Sequence, residues 1–405
     1  MFILAIDTSC DETSVAITWN DVVFANVISS QVELHKKYGG VVPMIAMRAH
    51  RERIDAVIQE AMKRASVQIA NIRFSALDTE SKRNNRQQKE SQSFCFDCRE
   101  FGLGNIDIFA VTYGPGLAPA LQIGVEKAKE LAKRYQKPLV AVDHMEGHIY
   151  ANFVRKPKAK SSKSDVLNKN QIASSKPQVT RFPVLCLLIS GGHTELVLMR
   201  GHGDYEILGE TLDDAVGEAF DKVAKMLNLG YPGGAIVERL AKEGDPFRYP
   251  FPIPLEKSKT LDFSYSGLKT SVLYTLRRIS SEGQRTKKQI CDVCASFQQA
   301  AIGHLVQKTT MAMNRVTRSK LRVTKLFLGG GVVANKLVRS EVRKAMNPFG
   351  VRVVYPADRR LIGDNAAMIA IAAYYKAKRK EFVRNVSRLE WNSSLRLGER
   401  YGCNV

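Results

Sequence analysis

The chain has 405 residues, 44% of them hydrophobic, and 61 Lys and Arg against 40 Asp and Glu, a net charge of +21. This length and apolar content allow a sizeable globular core and suggest two domains, while apolar runs such as Pro183 to Ile189 stop well short of the roughly 20 residues that span a bilayer. The pI near 9.7 suits either a polyanionic partner such as nucleic acid or a plain solvated basic surface. Met1-Phe-Ile-Leu-Ala-Ile-Asp7 has no basic leader and no small-residue cleavage site, so a cytoplasmic protein without membrane attachment is expected.

Strand-like runs at Ile3 to Ile6, Val15 to Trp19, Ile108 to Tyr113, Leu139 to Val142, Val184 to Ile189, Thr194 to Met199, Lys325 to Leu328 and Arg352 to Val354 alternate with helical patterns. The helical spacing covers Met47 to Ala65, Glu126 to Tyr135, Asp214 to Leu227, Ala235 to Lys242, Lys288 to Lys308, Asn335 to Ala345 and Asn365 to Lys380. The class is α/β. Two polar stretches interrupt it, Ser75 to Arg99 and Arg155 to Arg181, and both read as disordered insertions. The second holds eight basic residues against Asp165 alone, a flexible arm suited to phosphates or to solubility. A strand, a polar turn and a strand over residues 1–18 recur over 184–199, which suggests a duplicated fold. The expected organisation is an N-terminal lobe over 1–143, a C-terminal lobe over 144–375 and a tail over 376–405.

His144 and His148 stand four residues apart in Asp143-His-Met-Glu-Gly-His148, which places both imidazoles on one face of a helical turn. That spacing suits a divalent metal or a pair of core histidines. A zinc protease needs Glu directly after the first His, and Glu146 lies one residue further on. Asp364-Asn365 introduces the last helix, either as a cap or as the carboxylate completing a two-His site with open coordination positions. Ser190-Gly-Gly-His-Thr194 is a tight turn whose glycines expose N–H groups to an anion, and Gly329-Gly-Gly331 opens the helix after Asn335 in a similar way. Asp214, Glu218 and Asp221 share a helix face and suit ribose hydroxyls, a metal or the helix dipole. Ser266-Gly-Leu-Lys269 lacks the companion elements of penicillin-binding enzymes. Of the two Cys-x-x-Cys pairs, Cys291/Cys294 fits a core-facing helical stripe better than zinc, and Cys95/Cys98 falls in a polar insertion.

Together, Asp7-Thr-Ser-Cys-Asp11-Glu12-Thr, Gly39-Gly-Val-Val-Pro43, His144-Met-Glu-Gly-His148, Ser190-Gly-Gly-His-Thr, Glu218-Ala-Phe-Asp221-Lys, Pro232-Gly-Gly, Phe263-Ser-Tyr-Ser-Gly-Leu-Lys269, Gly329-Gly-Gly-Val and Asp364-Asn resemble the TsaD-type family. These are tRNA N6-adenosine threonylcarbamoyltransferases, once labelled O-sialoglycoprotein endopeptidases. The resemblance implies an actin-like, sugar-kinase-like ATPase fold of two related lobes. It further implies transfer of threonylcarbamoyl from threonylcarbamoyl-AMP to N6 of adenosine 37 in tRNAs reading codons that begin with A.

By matching motif, the resemblance implies that His144, His148 and Asp364 bind one iron or zinc ion. Ser190, Gly191 and Gly192, led into by Leu188 and Ile189, would hold the nucleotide's phosphates, and Asp221, Gly234 and Asn335 its sugar and base. Asp11 and Glu12 fall where the family has acidic residues needed for activity, with Glu12 a candidate to accept the N6 proton or orient the adenine. A TsaB-like paralogue and a TsaE-like P-loop ATPase, or a second copy of the chain, are the implied protein partners. The sequence departs from the family at Met44-Ile45, where Glu-Leu is usual, at Gly363 and at Pro119-Ala120. A small-molecule kinase of the same fold and a noncatalytic scaffold paralogue are the alternatives; neither explains two His and an Asp converging on a metal.

Overall fold

In the computed structural model the described residues are 1–80, 101–154, 180–281 and 283–399, with 71–80 as backbone alone. Cys95, Cys98 and nearly all of the basic 155–181 stretch lie outside them. The helices of seven residues or more among the described residues are α1 (Pro43–Glu80), α2 (Ala118–Tyr135), α3 (His144–Tyr150), α4 (Val216–Met226), α5 (Gly233–Ala241), α6 (Ser266–Ser281), α7 (Lys287–Arg318), α8 (Lys336–Met346) and α9 (Ala366–Lys378). None is long and apolar enough to cross a membrane.

The chain divides into two compact units. Unit 1 holds Met1–Ser29, Met47–Thr180 and Asn365–Ser394; unit 2 holds Ser30–Ala46, Arg181–Asp364 and Leu395–Val405. This differs from the contiguous ranges expected from the sequence. The strand β5 (Leu139–Asp143) runs straight into α3 without leaving unit 1, and α9 returns to unit 1 because its apolar residues cover that unit's sheet.

In unit 1, β1 (Phe2–Asp7), β2 (Glu12–Trp19), β3 (Val22–Ser30), β4 (Ile108–Gly114) and β5 form a sheet in the order β3-β2-β1-β4-β5. β1 is antiparallel to β2, with Ile6 opposite Val15, and parallel to β4, with Ile6 opposite Val111. Continuous apolar strands such as β4, buried along its whole length, suit a sheet covered on both faces. α2 packs on β4 and β1, and α9 on β1, β2 and α3. The run Ala366-Ala-Met-Ile-Ala-Ile-Ala-Ala373 is wholly buried, and its alanines permit close approach. Burying Met368, Ile369 and Ile371 contributes about 1.5–3 kcal/mol each.

Unit 2 repeats the plan. β6 (Val184–Ile189), β7 (Thr194–Gly201), β8 (Asp204–Glu210), β9 (Lys325–Gly329) and β10 (Arg352–Val354) are ordered β10-β9-β6-β7-β8. Counted from the first strand of each unit, both sheets run third, second, first, fourth, fifth, with the first two strands antiparallel and the first and fourth parallel. The duplicated hairpins of the sequence are thus the opening strands of two equivalent sheets. Leu185, Leu187 and Ile189 join Phe220 of α4, Phe297 of α7 and Val338 of α8 in one core, the two Phe rings meeting edge-on at 5.0 Å.

Several elements exceed the sequence expectation. β3, β8 and α6 were not foreseen, and α1 extends to Glu80, so the opening residues of the polar Ser75–Arg99 stretch are helical. β3 and β8 are the edge strands of their sheets and alternate buried with half-buried or exposed positions, which weakens their apolar signal.

Candidate functional site

Unit 1 gathers its chemistry at the β1–β2 turn and the first turn of α3. Asp143 caps α3, its Oδ1 accepting from the Met145 (2.7 Å) and Glu146 (3.1 Å) amides. Burial, followed by the nearby Glu146, pushes the Asp143 carboxyl up to about 7. With α3 started there, His144 and His148 lie on one face, both buried, their rings 4.7 Å apart and edge-on. The Nδ1 atom of His144 is 3.9 Å from Asp7 Oδ1.

Asp364 immediately precedes Asn365, whose Oδ1 caps α9 by accepting from the Met368 amide at 3.2 Å. Each of His144, His148 and Asp364 offers a ligand atom, all within 4.8 Å of one another, and they are the single such group of three His, Cys, Asp or Glu side chains among the described residues. Two neutral imidazole nitrogens and one carboxylate oxygen, mostly buried, form a donor set that fits iron or zinc and leaves coordination positions for another molecule. The helix-cap and metal readings of the Asp364-Asn365 pair therefore fall on different residues: Asn365 caps α9, and Asp364 is the candidate third donor.

The β1–β2 turn is acidic and enclosed. Asp7 and Asp11 are buried, and neither Asp7 Oδ2 nor Asp11 Oδ2 has a hydrogen-bond partner among the described residues. Glu12, half-buried, begins β2. The turn is held by His50 of α1, a residue that sequence reasoning passed over. His50 Nε2 donates to the Cys10 carbonyl (3.0 Å), and in the neutral ring that burial favours Nδ1 accepts from the Thr13 hydroxyl (2.8 Å). Burial lowers its pKa accordingly. The signal in the sequence is a single His within an amphipathic helix, which looks like many core histidines.

In unit 2 the equivalent turn is neutral and open. The Ser190 amide donates to the His193 carbonyl (2.9 Å) and the His193 amide to Ser190 Oγ (3.0 Å), closing the turn. Gly191 and Gly192 are exposed, with open space where a Cβ would stand. α4 abuts this turn, since a Cβ on Gly217 would lie 2.5 Å from the Ser190 carbonyl oxygen. Ala215, at the N-cap of α4, has no capping side chain, and the Val216 amide donates instead to Thr194 Oγ1 at 2.9 Å. Gly330 comes equally near: its φ is +95°, and a Cβ there would lie 2.3 Å from the Ile189 carbonyl oxygen. Leu188 and Ile189 are buried strand residues that deliver the chain to this convergence of N–H groups, the arrangement an anion needs.

Asp221 and Asn335 are both partly engaged as helix caps. Asp221 Oδ1 accepts from the Gly233 (2.7 Å) and Gly234 (3.3 Å) amides at the start of α5. Asn335 Oδ1 accepts from the Leu337 amide (2.9 Å), and its Nδ2 donates to Gln298 Oε1 (2.8 Å). Beside Gln298 lies a cavity of 420 Å³ lined by Glu238, Lys242, Ala295, Gln298, Lys336 and Leu337, within the range for a nucleoside-sized ligand. Glu238 and Gln298 were not singled out in the sequence, because lone polar residues on helices look like ordinary surface positions.

Other motifs resolve as structure. Asp214 pairs with Lys269 and, at 2.7 Å, with Lys222, which also pairs with Glu218 at 2.8 Å, so these carboxylates are neutralised within unit 2 rather than grouped around a cation. Ser266 Oγ donates to Asp213 at 2.7 Å, and Lys269 is occupied elsewhere, so no Ser-Lys nucleophile forms. Cys291 and Cys294 are free and buried, and burial pushes the Cys294 thiol up to about 12.

The family model for TsaD, tRNA N6-adenosine threonylcarbamoyltransferase, matches residues 22–76, 90–162 and 166–371. The chain belongs to this family. Curated relatives bearing that name include those of Symbiobacterium thermophilum, 42% identical over 92% of this chain and 91% of the relative, and of Desulfitobacterium hafniense, 40% identical over 94% and 93%. A relative from Clostridium kluyveri is 40% identical over 98% of both chains. Among solved structures, HypF of T. kodakarensis is similar with a TM-score of 0.51 and 13% identity over 93% of this chain and 48% of that one. The chain is therefore an α/β protein of the actin-like, sugar-kinase-like ATPase fold and a tRNA-modifying transferase of the TsaD family.

Proposed function

We propose that the chain transfers the threonylcarbamoyl group of threonylcarbamoyl-AMP to N6 of adenosine 37 in tRNAs reading codons that begin with A. The observation that carries the site assignment is the convergence of His144, His148 and Asp364. These three residues hold one divalent metal, iron or zinc, which when bound supplies a Lewis acid for the threonylcarbamoyl group. The N6 amine attacks the carbonyl carbon of the mixed anhydride, AMP departs with the electron pair of the broken C–O bond, and a carboxylate takes the N6 proton. Glu12 is that carboxylate or orients the adenine, with buried Asp11 beside it as the second acidic residue needed for activity.

The nucleotide's phosphates bind at Ser190, Gly191 and Gly192 through the N–H groups of the two exposed glycines, the Ser190 amide being held by the His193 carbonyl, with Leu188 and Ile189 fixing the turn's approach. Asp221, Gly234 and Asn335 take the sugar and base. HypF, also solved in a phosphate- and nucleotide-bound form, lends support through its fold. The net charge of +21 supports tRNA as the polyanionic substrate. The protein works in the cytoplasm with a TsaB-like paralogue and a TsaE-like P-loop ATPase, or as a homodimer, and the basic 155–181 arm contacts tRNA phosphates.

The assay combines the purified chain, partner subunits of the same source, threonylcarbamoyl-AMP and unmodified tRNA. Wild type forms the modified nucleoside, and His148→Ala does not. Equal activity of the two would remove the metal assignment, and ATP-dependent phosphorylation of a small acid in place of transfer would favour the kinase alternative.

A further inference from the structure

The middle residue of His144-Met-Glu-Gly-His148 has no part in the chemistry above. Glu146 is two residues from each histidine, which turns it to the opposite face of α3. It is 3% exposed. Its Oε2 lies 3.4 Å from Lys376 Nζ and its Oε1 3.6 Å from Arg379 Nη2, so each carboxylate oxygen meets a cation on or just past the end of α9. Arg379 is fixed in turn by Glu381, at 2.8 Å, and donates to the Tyr150 hydroxyl at 3.4 Å. Tyr150, the last residue of α3, stacks on Tyr375 of α9 at 5.0 Å.

A second contact sets the spacing of the same two helices. A Cβ on Gly147 would lie 2.8 Å from Ile369 Cδ1 and 3.2 Å from Met368 Cγ, so α3 approaches the first turns of α9 closely there, and a larger residue would have to displace the Ile369 side chain. α3 carries two of the candidate ligands, and α9 begins two residues after the third, with the cap Asn365 between them. The distance between the helices is set at Gly147 and their relative orientation at Glu146.

We infer that Glu146 is a positioning residue, clamped by Lys376 and Arg379, that holds α3 against α9 so that His144 and His148 stay within reach of Asp364. The inference rests on the metal reading of those three residues. A buried carboxylate facing two cations loses far more when one partner is removed than the intact cluster contributes, so single substitutions in the clamp are the ones that disturb it. Support behind metal ligands typically matters by roughly 10- to 100-fold in metal affinity.

The test titrates Zn²⁺ alone into metal-free full-length protein against a competing chromophoric chelator, without any activity measurement. Glu146→Gln weakens Zn²⁺ binding by roughly 10- to 100-fold, Lys376→Met weakens it in the same direction, and the double variant is less impaired than the sum. Leu305→Ala, in the core of unit 2, lowers the melting temperature without changing Zn²⁺ affinity, separating positioning from general destabilisation. Wild-type affinity in Glu146→Gln overturns the inference; if that variant does not fold, wild-type affinity in Lys376→Met overturns it. His148→Ala distinguishes the two levels: unchanged Zn²⁺ affinity there defeats the metal reading itself, whereas an effect in His148→Ala without one in Glu146→Gln defeats the clamp alone.

Discussion

The turn between β1 and β2 and the turn between β6 and β7 occupy the same place in two sheets of identical strand order, yet their chemistry is opposite. The first is acidic and enclosed, with Asp7 and Asp11 buried and a neutral His50 holding Cys10 and Thr13. The second is uncharged and open, with exposed Gly191 and Gly192 and the N-terminus of α4 pressed against it, its first amide held by the Thr194 hydroxyl. One scaffold thus carries two turns of opposite electrostatic sense, one suited to a cation or a proton and the other to a phosphate. The fold alone does not decide function; a handful of turn residues does.

The comparison breaks most severely at the ligands. His148→Ala or Asp364→Ala is expected to reduce transfer by roughly 10³-fold or more, since Lewis-acid stabilisation amounts to several kcal/mol, while binding of a fluorescent AMP analogue to unit 2 stays near wild type. Loss of nucleotide binding in the same variants would show that the turns do not divide the work.

The next effect concerns pH and unit 2. Burial, aided by Lys308, lowers the His304 imidazole to about 4, and its Nε2 accepts from the Ser264 amide at 3.3 Å. The unfolded chain takes up this proton near pH 6.5 and the folded chain only near pH 4. Stability is therefore full above pH 6.5 and falls as the pH drops through that window, by roughly 3 kcal/mol for this one group. Denaturant unfolding at a series of pH values should show the loss, and His304→Gln should flatten it. An unchanged slope in that variant would place the pH sensitivity elsewhere.

A milder change sharpens the phosphate half of the comparison. In Gly217→Ala, the added Cβ meets the Ser190 carbonyl, which is expected to cost about 1–3 kcal/mol and to raise KM for threonylcarbamoyl-AMP more than it lowers kcat. A kcat effect alone would contradict the assigned role of that turn. On the acidic side, His50→Ala leaves the Thr13 hydroxyl and the Cys10 carbonyl without their partner, at a cost of about 1–3 kcal/mol. It should lower kcat without changing affinity for the AMP analogue, which equilibrium binding and steady-state kinetics together would check.

Legibility in the sequence followed the same physical divide. Both hairpins stood out because continuous apolar strands flank short polar turns, and the His pair because four-residue spacing has one helical meaning. β3 and β8 escaped because edge strands need not be apolar on both faces, and α6 because its opening Ser266-Gly-Leu-Lys269 drew attention to a nucleophile pattern whose groups are engaged by Asp213 and Asp214. His50, Glu238 and Gln298 were invisible for a different reason. Each acts through a partner distant in sequence, Cys10 and Thr13, Lys336, and Asn335 respectively, and single polar residues on helices carry no periodic signal. The nine motifs pointed to the family, and the fold explains why they are scattered: the candidate ligands come from α3 and from Asp364, two residues before α9, more than two hundred positions apart.

The most direct test of the central claim is formation of the modified nucleoside on unmodified tRNA from threonylcarbamoyl-AMP, with partner subunits present, by wild type, His148→Ala and Asp364→Ala, with bound metal measured in each. The expected result is modified tRNA and about one equivalent of metal for wild type, and neither for the two variants. Full activity in a variant that has lost its metal would contradict the claim.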